Sequence, residues 1–167
     1  MGHVWLIGMM GSGKSTVGRL VADHLGRPFY DTDELVEQAE NASIPEIFGE
    51  DGESGFREKE KWIVEEVVSR PPGIVATGGG VVLDPENVAT MRRSGTVVYL
   101  DADIDALSRR LEQADGRPLL AGDKNGRLHT IASERAERYR SSADVIVDAT
   151  DSVEAVVANV EAACSES

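Results

Sequence analysis

The sequence predicts an α/β protein with a five-stranded parallel sheet flanked by helices. Short apolar segments alternate along the chain with segments of helical periodicity, a pattern that favours a parallel sheet covered on both faces. The predicted strands cover residues 3–7, 28–30, 73–77, 96–100 and 144–147. Each is a short apolar run without apolar-polar alternation. A chain of 167 residues is long enough for one domain with a real hydrophobic core.

The first strand leads directly into a glycine-rich loop. Residues 8–15 read Gly-Met-Met-Gly-Ser-Gly-Lys-Ser, the G-x4-G-K-S pattern of a phosphate-binding loop, and a helical pattern follows from Thr16. The glycines let backbone N–H groups turn toward a triphosphate, Lys14 can reach the β- and γ-phosphates, and Ser15 can bind Mg²⁺. A glycine turn with an incidental lysine is the alternative, and both spacing and context argue against it. The motif predicts a nucleoside triphosphate ligand without separating a kinase from an NTPase switch or motor.

Two carboxylates follow the second strand, in the segment Asp31-Thr32-Asp33. On an extended backbone, residues two apart point the same way, so both carboxylates are expected to face the cleft. One could support Mg²⁺, directly or through water, and the other could accept a proton from an attacking hydroxyl. The alternative is that Asp33 only caps a helix that starts at Glu34.

A helix is predicted to begin within residues 51–60 and to carry Arg57 near its start. Its predicted apolar face consists of Phe56, Ile63, Val64, Val67 and Val68. An arginine fork suits a carboxylate ligand better than a lysine does. The alternative is a surface arginine paired with Glu60.

The third strand ends in Thr77-Gly78-Gly79-Gly80. Three glycines carry a large entropic cost, which is understandable where a ligand must lie against bare backbone. A flexible turn is the alternative.

Helix ends are predicted from capping residues. Asp84, followed by Pro85, starts one helix, which Gly95 ends. Asp103 is expected to cap the next helix, and Asp151, with Glu154 three residues on, the last. The helix capped by Asp103 is predicted to have an apolar face of Ile104, Leu107 and Leu111. The last helix is predicted to have an apolar face of Val153, Val156, Val157 and Val160.

A glycine- and proline-punctuated stretch at 115–126 has the composition of a lid with hinges, and it carries Arg117. A lid arginine could close on a transferring phosphoryl group. Arg135 lies on the helix that follows. For both arginines the alternative is a solvated surface charge.

Composition excludes several classes of protein. The formal net charge of −13, without a basic run, argues against binding to nucleic acid or to anionic membranes. No apolar run approaches the ~20 residues of a membrane span, and no signal peptide is visible. Cys164 is the only cysteine, which excludes a disulfide framework. A reduced, cytoplasmic setting is therefore expected.

Taken together, these residues resemble the shikimate kinase family over nearly the whole chain. The matching motifs, in the family's order and spacing, are Gly-Ser-Gly-Lys-Ser-Thr at 11–16, Asp-Thr-Asp at 31–33, Gly-Glu-x-x-Phe-Arg-x-x-Glu at 52–60, Gly-Gly-Gly at 78–80, Arg-Pro-Leu-Leu at 117–120 and Arg-x-x-x-Tyr at 135–139. The phosphate loop is generic, whereas the combination of Asp-Thr-Asp, Phe-Arg and triple glycine is specific. The resemblance implies a single-domain P-loop kinase fold with a phosphate loop at 8–16, a substrate-binding region at about 31–60 and a mobile lid at about 113–126.

The resemblance also implies an activity, the ATP-dependent phosphorylation of the 3-hydroxyl of shikimate in the route to chorismate and aromatic amino acids. It implies ATP-binding residues Gly11, Ser12, Gly13, Lys14, Ser15, Thr16 and Arg117, with Mg²⁺ held by Ser15 and, through water, by Asp31. It implies substrate contacts from Asp33, Arg57, Gly79, Gly80 and Arg135, with Phe48 and Phe56 as apolar walls. The implied catalytic residues are Lys14, Asp33 as candidate base, and Arg117. ATP and shikimate are the expected partners of a cytoplasmic monomer.

The chain departs from the family's pattern in two places. Glu137 stands where the family often has proline, and Arg138 is close enough to compete for the role given to Arg135. Pro45 lies in the substrate-binding region, where the first turn of a short helix would tolerate it. The segment after Asp148 that would contact adenine cannot be carried over residue by residue.

Two other functions are compatible with the phosphate loop. A P-loop kinase for another small polyol or acid, such as gluconate, would share the loop and the lid, but Arg57, Arg135 and the triple glycine argue against it. A nucleotide-binding regulatory module without a phosphoryl acceptor would need a degraded acceptor side, and here every acceptor-side residue is present.

Overall fold

A computed structural model describes residues 1–115 and 123–166, and of 113–115 and 123–125 the backbone alone. Within these residues, five strands form one sheet in the order β2-β3-β1-β4-β5, and all neighbouring pairs are parallel. The strands are β1 His3–Ile7, β2 Phe29–Asp31, β3 Ile74–Ala76, β4 Gly95–Asp101 and β5 Val145–Asp148. The five predicted strands are confirmed, and each predicted end lies within one residue of the observed end.

The described residues also form seven α-helices and a 3₁₀ turn that flank the sheet. They are α1 Lys14–Leu25, α2 Thr32–Glu40, α3 Ile44–Val68, the 3₁₀ turn Val81–Leu83, α4 Pro85–Ser94, α5 Ile104–Asp115, α6 Asp123–Ser142 and α7 Val153–Ser165. Among these helices, none combines the length and the apolar character that a membrane crossing requires.

The central strand β1 is buried on both faces, which explains its uninterrupted apolar sequence. Trp5 and Ile7 pack into one core cluster, and Val4 and Leu6 pack into a second cluster on the opposite face. Helices α1 and α7 cover the Val4 face with Val17, Val21, Val156, Val157 and Val160. Helices α3, α4 and α6 cover the Trp5 face with Ile63, Val64, Val67, Met91 and Tyr139.

Two residues predicted on apolar helix faces lie outside these clusters. Val68, at the end of α3, and Val153, at the start of α7, are each 39% exposed. Both residues are at a helix end, where the side chain extends beyond the neighbouring elements that the rest of the helix packs against.

The predicted start of α4 is confirmed. The Asp84 side chain accepts a hydrogen bond from the Glu86 N–H at 2.9 Å, Pro85 occupies the first turn, and Gly95 follows the last helical residue. The Asp103 cap of α5 is confirmed as well, because its carboxylate accepts from the Ala106 N–H at 2.9 Å.

The predicted cap of α7 is wrong by one residue. The hydroxyl of Ser152 accepts from the Ala155 N–H at 3.3 Å, and α7 begins at Val153. Asp151 therefore precedes the cap and is left at the edge of the cleft described below.

Helix α3 consists of two helical segments joined at Gly52. Its start is fixed by a reciprocal capping box between Ser43 and Glu46, with Pro45 in the first turn, where proline was predicted to be tolerated. Gly52 interrupts the helix with φ 70° and ψ −176°, a conformation that glycine adopts readily. The second segment carries Arg57, which the break sets at the beginning of a new run of helix.

The strand order brings three separate connections to one edge of the sheet. β1 lies between β3 and β4, so the loop after β1 and the glycines after β3 leave the sheet side by side. β2 pairs with β3 and ends at Asp31, next to the same edge. In open parallel sheets this carboxyl edge is where ligands bind.

Candidate active site

A cavity of about 470 Å³ opens at the carboxyl ends of the strands. The phosphate loop forms one wall, and Asp31 and Asp33 form another. Gly79 lines it beyond β3, and the far end is lined by α5 and by the connection between β5 and α7. The residues that the sequence predicted for phosphate, metal and proton chemistry thus share one cavity.

The phosphate loop owes its shape to glycines in positive φ conformations. Gly8, Gly11 and Gly13 have φ of 147°, 82° and 94°. At Gly8 a side chain would also lie 2.7 Å from the Leu100 carbonyl oxygen, so the loop and β4 approach too closely for a Cβ. Gly13 is the N-cap of α1 and offers no side-chain cap, which leaves the first-turn N–H groups available to an anion.

Lys14 is the first residue of α1, and its side chain folds back over the loop. It is only 8% exposed, and its Nζ donates hydrogen bonds to the carbonyl oxygens of Gly8 at 2.6 Å and Met9 at 2.9 Å. Burial lowers the pKa of Lys14 to about 8, against the attraction of Asp33 and Asp31. The lysine therefore faces the two aspartates across the cavity as a partly desolvated cation.

Asp31 connects the phosphate loop to the start of α2. One carboxylate oxygen accepts from the Ser15 hydroxyl at 2.7 Å, and the other accepts from the N–H groups of Asp33 and Glu34 as the N-cap of α2. The alternative prediction that Asp33 caps this helix is wrong, because Asp31 is the cap.

The geometric reason given for placing both carboxylates in the cleft is also wrong. Only Asp31 belongs to β2, and the helix begins at Thr32, so Asp33 lies in the first turn of α2 and not two residues along a strand. Both carboxylates nevertheless line the cavity. The turn of the helix, and not the alternation of a strand, brings Asp33 there.

The carboxyl of Asp33 is in an environment that disfavours its charge. Burial, and then the neighbouring Asp31, raise its pKa, while Lys14 and Arg57 lower it. Its Oδ1 lies 2.8 Å from where a Cβ of Gly78 would be, so the carboxylate rests against bare backbone. Asp33 is consequently a stronger base than an exposed aspartate.

Arg57 and Glu60 form an ion pair at one helical turn of α3. Arg57 Nη1 donates to Glu60 Oε1 at 2.8 Å, and Glu53 contributes a longer contact of 3.7 Å. The alternative prediction of this pair is confirmed, but its placement on the surface is wrong, since Glu60 is 0% exposed. Burial raises the pKa of Glu60, and its Oε2 has no hydrogen-bond partner among the described residues.

The three glycines after β3 each leave room for a charged side chain from another element. A Cβ at Gly78 would lie 2.8 Å from both Asp33 Oδ1 and Glu60 Oε2. At Gly79 it would lie 3.4 Å from Arg135 Nη1, and at Gly80 it would overlap the Arg57 guanidinium. The segment is therefore bare because four charged side chains pack on it, which a flexible turn would not require. Together with the three glycines, these side chains form the candidate acceptor side: Asp33, Arg57, Glu60 and Arg135.

Helix α6 brings Arg135 to these glycines and turns Arg138 away from them. Arg135 is half-buried beside Gly79, whereas Arg138 is exposed and its Nη1 donates to the Leu83 carbonyl at 3.4 Å. Glu137, which stands in place of the family's proline, is exposed. Arg135 is accordingly the arginine that faces the candidate site.

The two phenylalanines predicted as apolar walls pack on each other. The rings of Phe48 and Phe56 are stacked with centroids 4.8 Å apart, and Phe56 is buried while Phe48 is 38% exposed. The Arg57 guanidinium lies 5.2 Å from the Phe56 ring centroid. The pair thus lies next to an acceptor-side arginine and leaves one ring accessible.

Sequence reasoning missed Arg110. Its guanidinium donates to the carbonyl oxygens of Gly11 at 3.3 Å, Ser12 at 3.4 Å and Ala149 at 2.6 Å. It therefore joins the phosphate loop to the connection after β5. No motif could have revealed it, because its partners are backbone carbonyls from distant segments. Arg117 and half of the predicted lid, residues 116–122, lie outside the described residues.

Comparison with known proteins identifies the same family along the whole chain. Residues 10–165 match the family model for shikimate kinase. A shikimate kinase of Symbiobacterium thermophilum is 43% identical over 163 residues, which cover 95% of this chain and 93% of that protein. The structure of the shikimate kinase from Acinetobacter baumannii in complex with shikimate superposes with a TM-score of 0.89 at 32% identity, covering 99% of this chain and 94% of that one.

A gluconokinase from Sinorhizobium meliloti is also similar in structure, with a TM-score of 0.66 over 99% of this chain and 92% of that one. Its sequence identity is 18%, so the likeness is one of fold alone.

Proposed function

The chain belongs to the shikimate kinase family, and we propose that it transfers the γ-phosphoryl group of ATP to the 3-hydroxyl of shikimate. The products are shikimate 3-phosphate and ADP, in the route to chorismate and aromatic amino acids. The observation that carries the proposal is the shared cavity, which Lys14 lines from the phosphate loop and Asp33 lines from the acceptor side. The two groups are near enough that each shifts the pKa of the other.

The phosphates of ATP would bind the loop of residues 8–16. The uncapped N-terminus of α1 offers N–H groups, and the Lys14 ammonium can exchange its two carbonyl partners for phosphate oxygens. The nucleoside would then extend toward Arg110 and α7, which line the same cavity. Phosphoryl transfer depends mainly on such positioning and on charge neutralisation.

The oxygens beside the phosphate loop fit Mg²⁺. Ser15 Oγ and Asp31 Oδ2 are 2.7 Å apart, and within the described ranges no three His, Cys, Asp or Glu side chains are grouped as a metal site. Mg²⁺ keeps several waters and phosphate oxygens as ligands, so one hydroxyl and one carboxylate suffice, the carboxylate acting through water. When bound, the ion neutralises charge on the β- and γ-phosphates.

The carboxylate of shikimate would be held by Arg57 and Arg135. Both guanidinium groups lie against the glycines after β3, at Gly80 and Gly79. Arginine forks bind carboxylates with two parallel hydrogen bonds, which fixes orientation as well as position. The glycine backbone lets the ring approach closely.

Asp33 would accept the proton of the attacking hydroxyl. Its raised pKa makes it a better base than an ordinary aspartate, while the charges of Lys14 and Arg57 still favour its ionised form. The hydroxyl oxygen forms its bond to phosphorus as the bond to the ADP oxygen breaks, and the proton passes to the Asp33 carboxylate.

We further propose that residues 1–167 form one domain, which contains the phosphate loop at 8–16, the substrate-binding region at about 31–60 and a lid at about 113–126. In it Arg117 closes on the phosphates. We expect a monomer acting in the cytoplasm, where ATP is available. Sedimentation equilibrium at assay concentration should give a mass near 17.9 kDa, and a mass twice as large would contradict the monomer.

The decisive experiment is a coupled assay of ADP release with shikimate, gluconate and related hydroxylated acids, with ³¹P NMR of the product. We expect release with shikimate and phosphorylation at the 3-hydroxyl. Turnover with gluconate alone would favour the kinase of another acid. ATP binding with no ADP release on any acceptor would favour a regulatory module.

A further inference from the structure

Tyr139 is a buried polar group that the proposed reaction does not use. Its side chain is 0% exposed, and its ring is stacked on that of Tyr99 with centroids 5.1 Å apart. Its hydroxyl donates a hydrogen bond to the carbonyl oxygen of Gly79 and lies 3.7 Å from the sulfur of Met9. Burial raises the pKa of the Tyr139 phenol, so the hydroxyl stays protonated and keeps its capacity to donate.

The hydrogen bond from Tyr139 holds the middle of three glycine peptides. The carbonyl oxygen of Gly78 accepts from the Val81 N–H at 3.2 Å, and that of Gly80 accepts from the Leu83 N–H at 3.0 Å. Those two peptides are held by the neighbouring 3₁₀ turn. The peptide between Gly79 and Gly80 is held by a side chain from another element, α6.

The hydrogen bond to the Gly79 carbonyl also orients the N–H of Gly80, which belongs to the same peptide. In a trans peptide the N–H of Gly80 points away from the carbonyl of Gly79, so fixing one fixes the other. Among the described residues, the N–H groups of Gly79 and Gly80 have no acceptor. A peptide between two glycines is the freest in its rotation, so an external hydrogen bond decides its orientation.

The same hydroxyl ties α6 to the end of β3. Arg135 lies one helical turn before Tyr139, and both side chains converge on Gly79, with Arg135 Nη1 at 3.4 Å and Tyr139 Oη at 3.7 Å from where its Cβ would be. The hydrogen bond from Tyr139 to Gly79 therefore lies next to Arg135 and helps to fix the distance between that arginine and the glycine backbone.

We propose that Tyr139 is a positioning residue for the phosphoryl acceptor, because its hydroxyl fixes the Gly79–Gly80 peptide and holds Arg135 beside it. This inference rests on the proposed function, since the acceptor is the hydroxylated carboxylate that those groups would bind. Tyr139 itself acts through Gly79 and Arg135.

The test compares Tyr139→Phe with Tyr99→Phe. Each change removes one hydroxyl from the same stacked pair and keeps the ring, but the Tyr99 hydroxyl donates to Asp101 at 3.2 Å and not to the glycines. We expect Tyr139→Phe to raise the KM for shikimate about tenfold, as for a lost buried hydrogen bond, and to lower kcat. The KM for ATP should stay within about twofold, and Tyr99→Phe should change neither constant.

A second readout does not depend on turnover. With ¹⁵N-glycine labelling, the amide resonances of Gly79 and Gly80 should shift or broaden in Tyr139→Phe and stay in place in Tyr99→Phe. Unchanged glycine resonances together with an unchanged KM for shikimate would overturn the inference, as would equal losses for shikimate and ATP. An inactive wild-type protein would instead refute the proposed function, so the two failures are distinguishable.

Discussion

The proposed donor side of the cleft, which would bind ATP, and the proposed acceptor side, which would bind shikimate, are built in different ways. The donor side is one contiguous loop, residues 8–16, whose shape depends on glycine φ angles and on the backbone at the start of α1. The acceptor side is assembled from α2, α3, the glycines after β3, and α6. The first depends on local backbone geometry, whereas the second depends on charged side chains that pack against bare backbone from separate elements.

The two sides also differ in the direction of their pKa shifts. Burial lowers the pKa of Lys14 on the donor side and raises the pKa values of Asp33 and Glu60 on the acceptor side. In each case burial favours the neutral form. For Lys14 and Asp33 the opposing charge comes from across the cleft, whereas Glu60 is opposed by Arg57 and Arg135 on its own side. Lys14 and Asp33 therefore each favour the ionised form of the other, so the loss of one should change the titration of the other.

The largest effect should come from Asp33→Asn on the acceptor side. We expect kcat to fall by about 10²- to 10⁴-fold, the range for loss of a general base. Since the pKa of Asp33 is raised by folding, its ionised form opposes folding at neutral pH, and that cost appears as pH rises through the folded pKa. The melting temperature at pH 7 should therefore be unchanged or higher, and wild-type turnover would remove Asp33 from the mechanism.

The next largest effect should come from Arg57→Ala. Shikimate binding should weaken by about 2–5 kcal/mol, the range for a lost buried charge contact, with ATP binding almost unchanged. Isothermal titration with each ligand measures both. Unchanged shikimate affinity would refute the role of Arg57.

Because Arg57→Ala also leaves the buried Glu60 unpaired, it should lower thermal stability. The double variant Arg57→Ala with Glu60→Gln separates the two effects. It should recover much of the stability and none of the shikimate affinity. Recovery of both would mean that the pair is only structural.

A smaller effect tests the glycines directly. Gly80 has φ −99°, which alanine tolerates, and the nearest atoms that a Cβ would meet in Gly80→Ala are those of the Arg57 guanidinium. We expect the KM for shikimate to rise about tenfold, equivalent to ~1.4 kcal/mol. Gly49→Ala is the matched control, because a Cβ there meets nothing within 4 Å. Equal KM values in the two variants would contradict the packing argument.

An effect of the same size, with no substitution needed, belongs to the donor side and depends on pH. The pKa of Lys14 is about 8 without ligand, and a bound polyphosphate favours the ammonium, so ATP binding above pH 8 takes up a proton. Affinity should fall about tenfold between pH 7 and pH 9. Titration in buffers of different ionisation heat measures the uptake, which Lys14→Arg should abolish. Uptake that persists in that variant would point to another group.

The donor side could be predicted from the sequence because its motif is contiguous and its context is local. The acceptor side could be predicted only in part. Arg57 and the triple glycine were predicted as candidates, and the structure packs them together. The burial of Glu60 is a tertiary property, and an arginine with a glutamate three residues on is usually a surface pair. Asp33 was expected in the cleft for the wrong reason, since the Asp31 cap starts the helix one residue after the strand. Arg110 could not be predicted, because its partners are backbone carbonyl oxygens, which every residue has whatever its side chain.

The folded-back ammonium of Lys14 has a consequence for ligand selection. A ligand that binds this ammonium competes with the carbonyl oxygens of Gly8 and Met9, which already accept two of its hydrogen bonds. A neutral nucleoside offers no acceptor strong enough to do so, whereas a polyphosphate does. These intramolecular hydrogen bonds therefore compete with any ligand for Lys14, and we expect that competition to favour multiply charged nucleotides over adenosine.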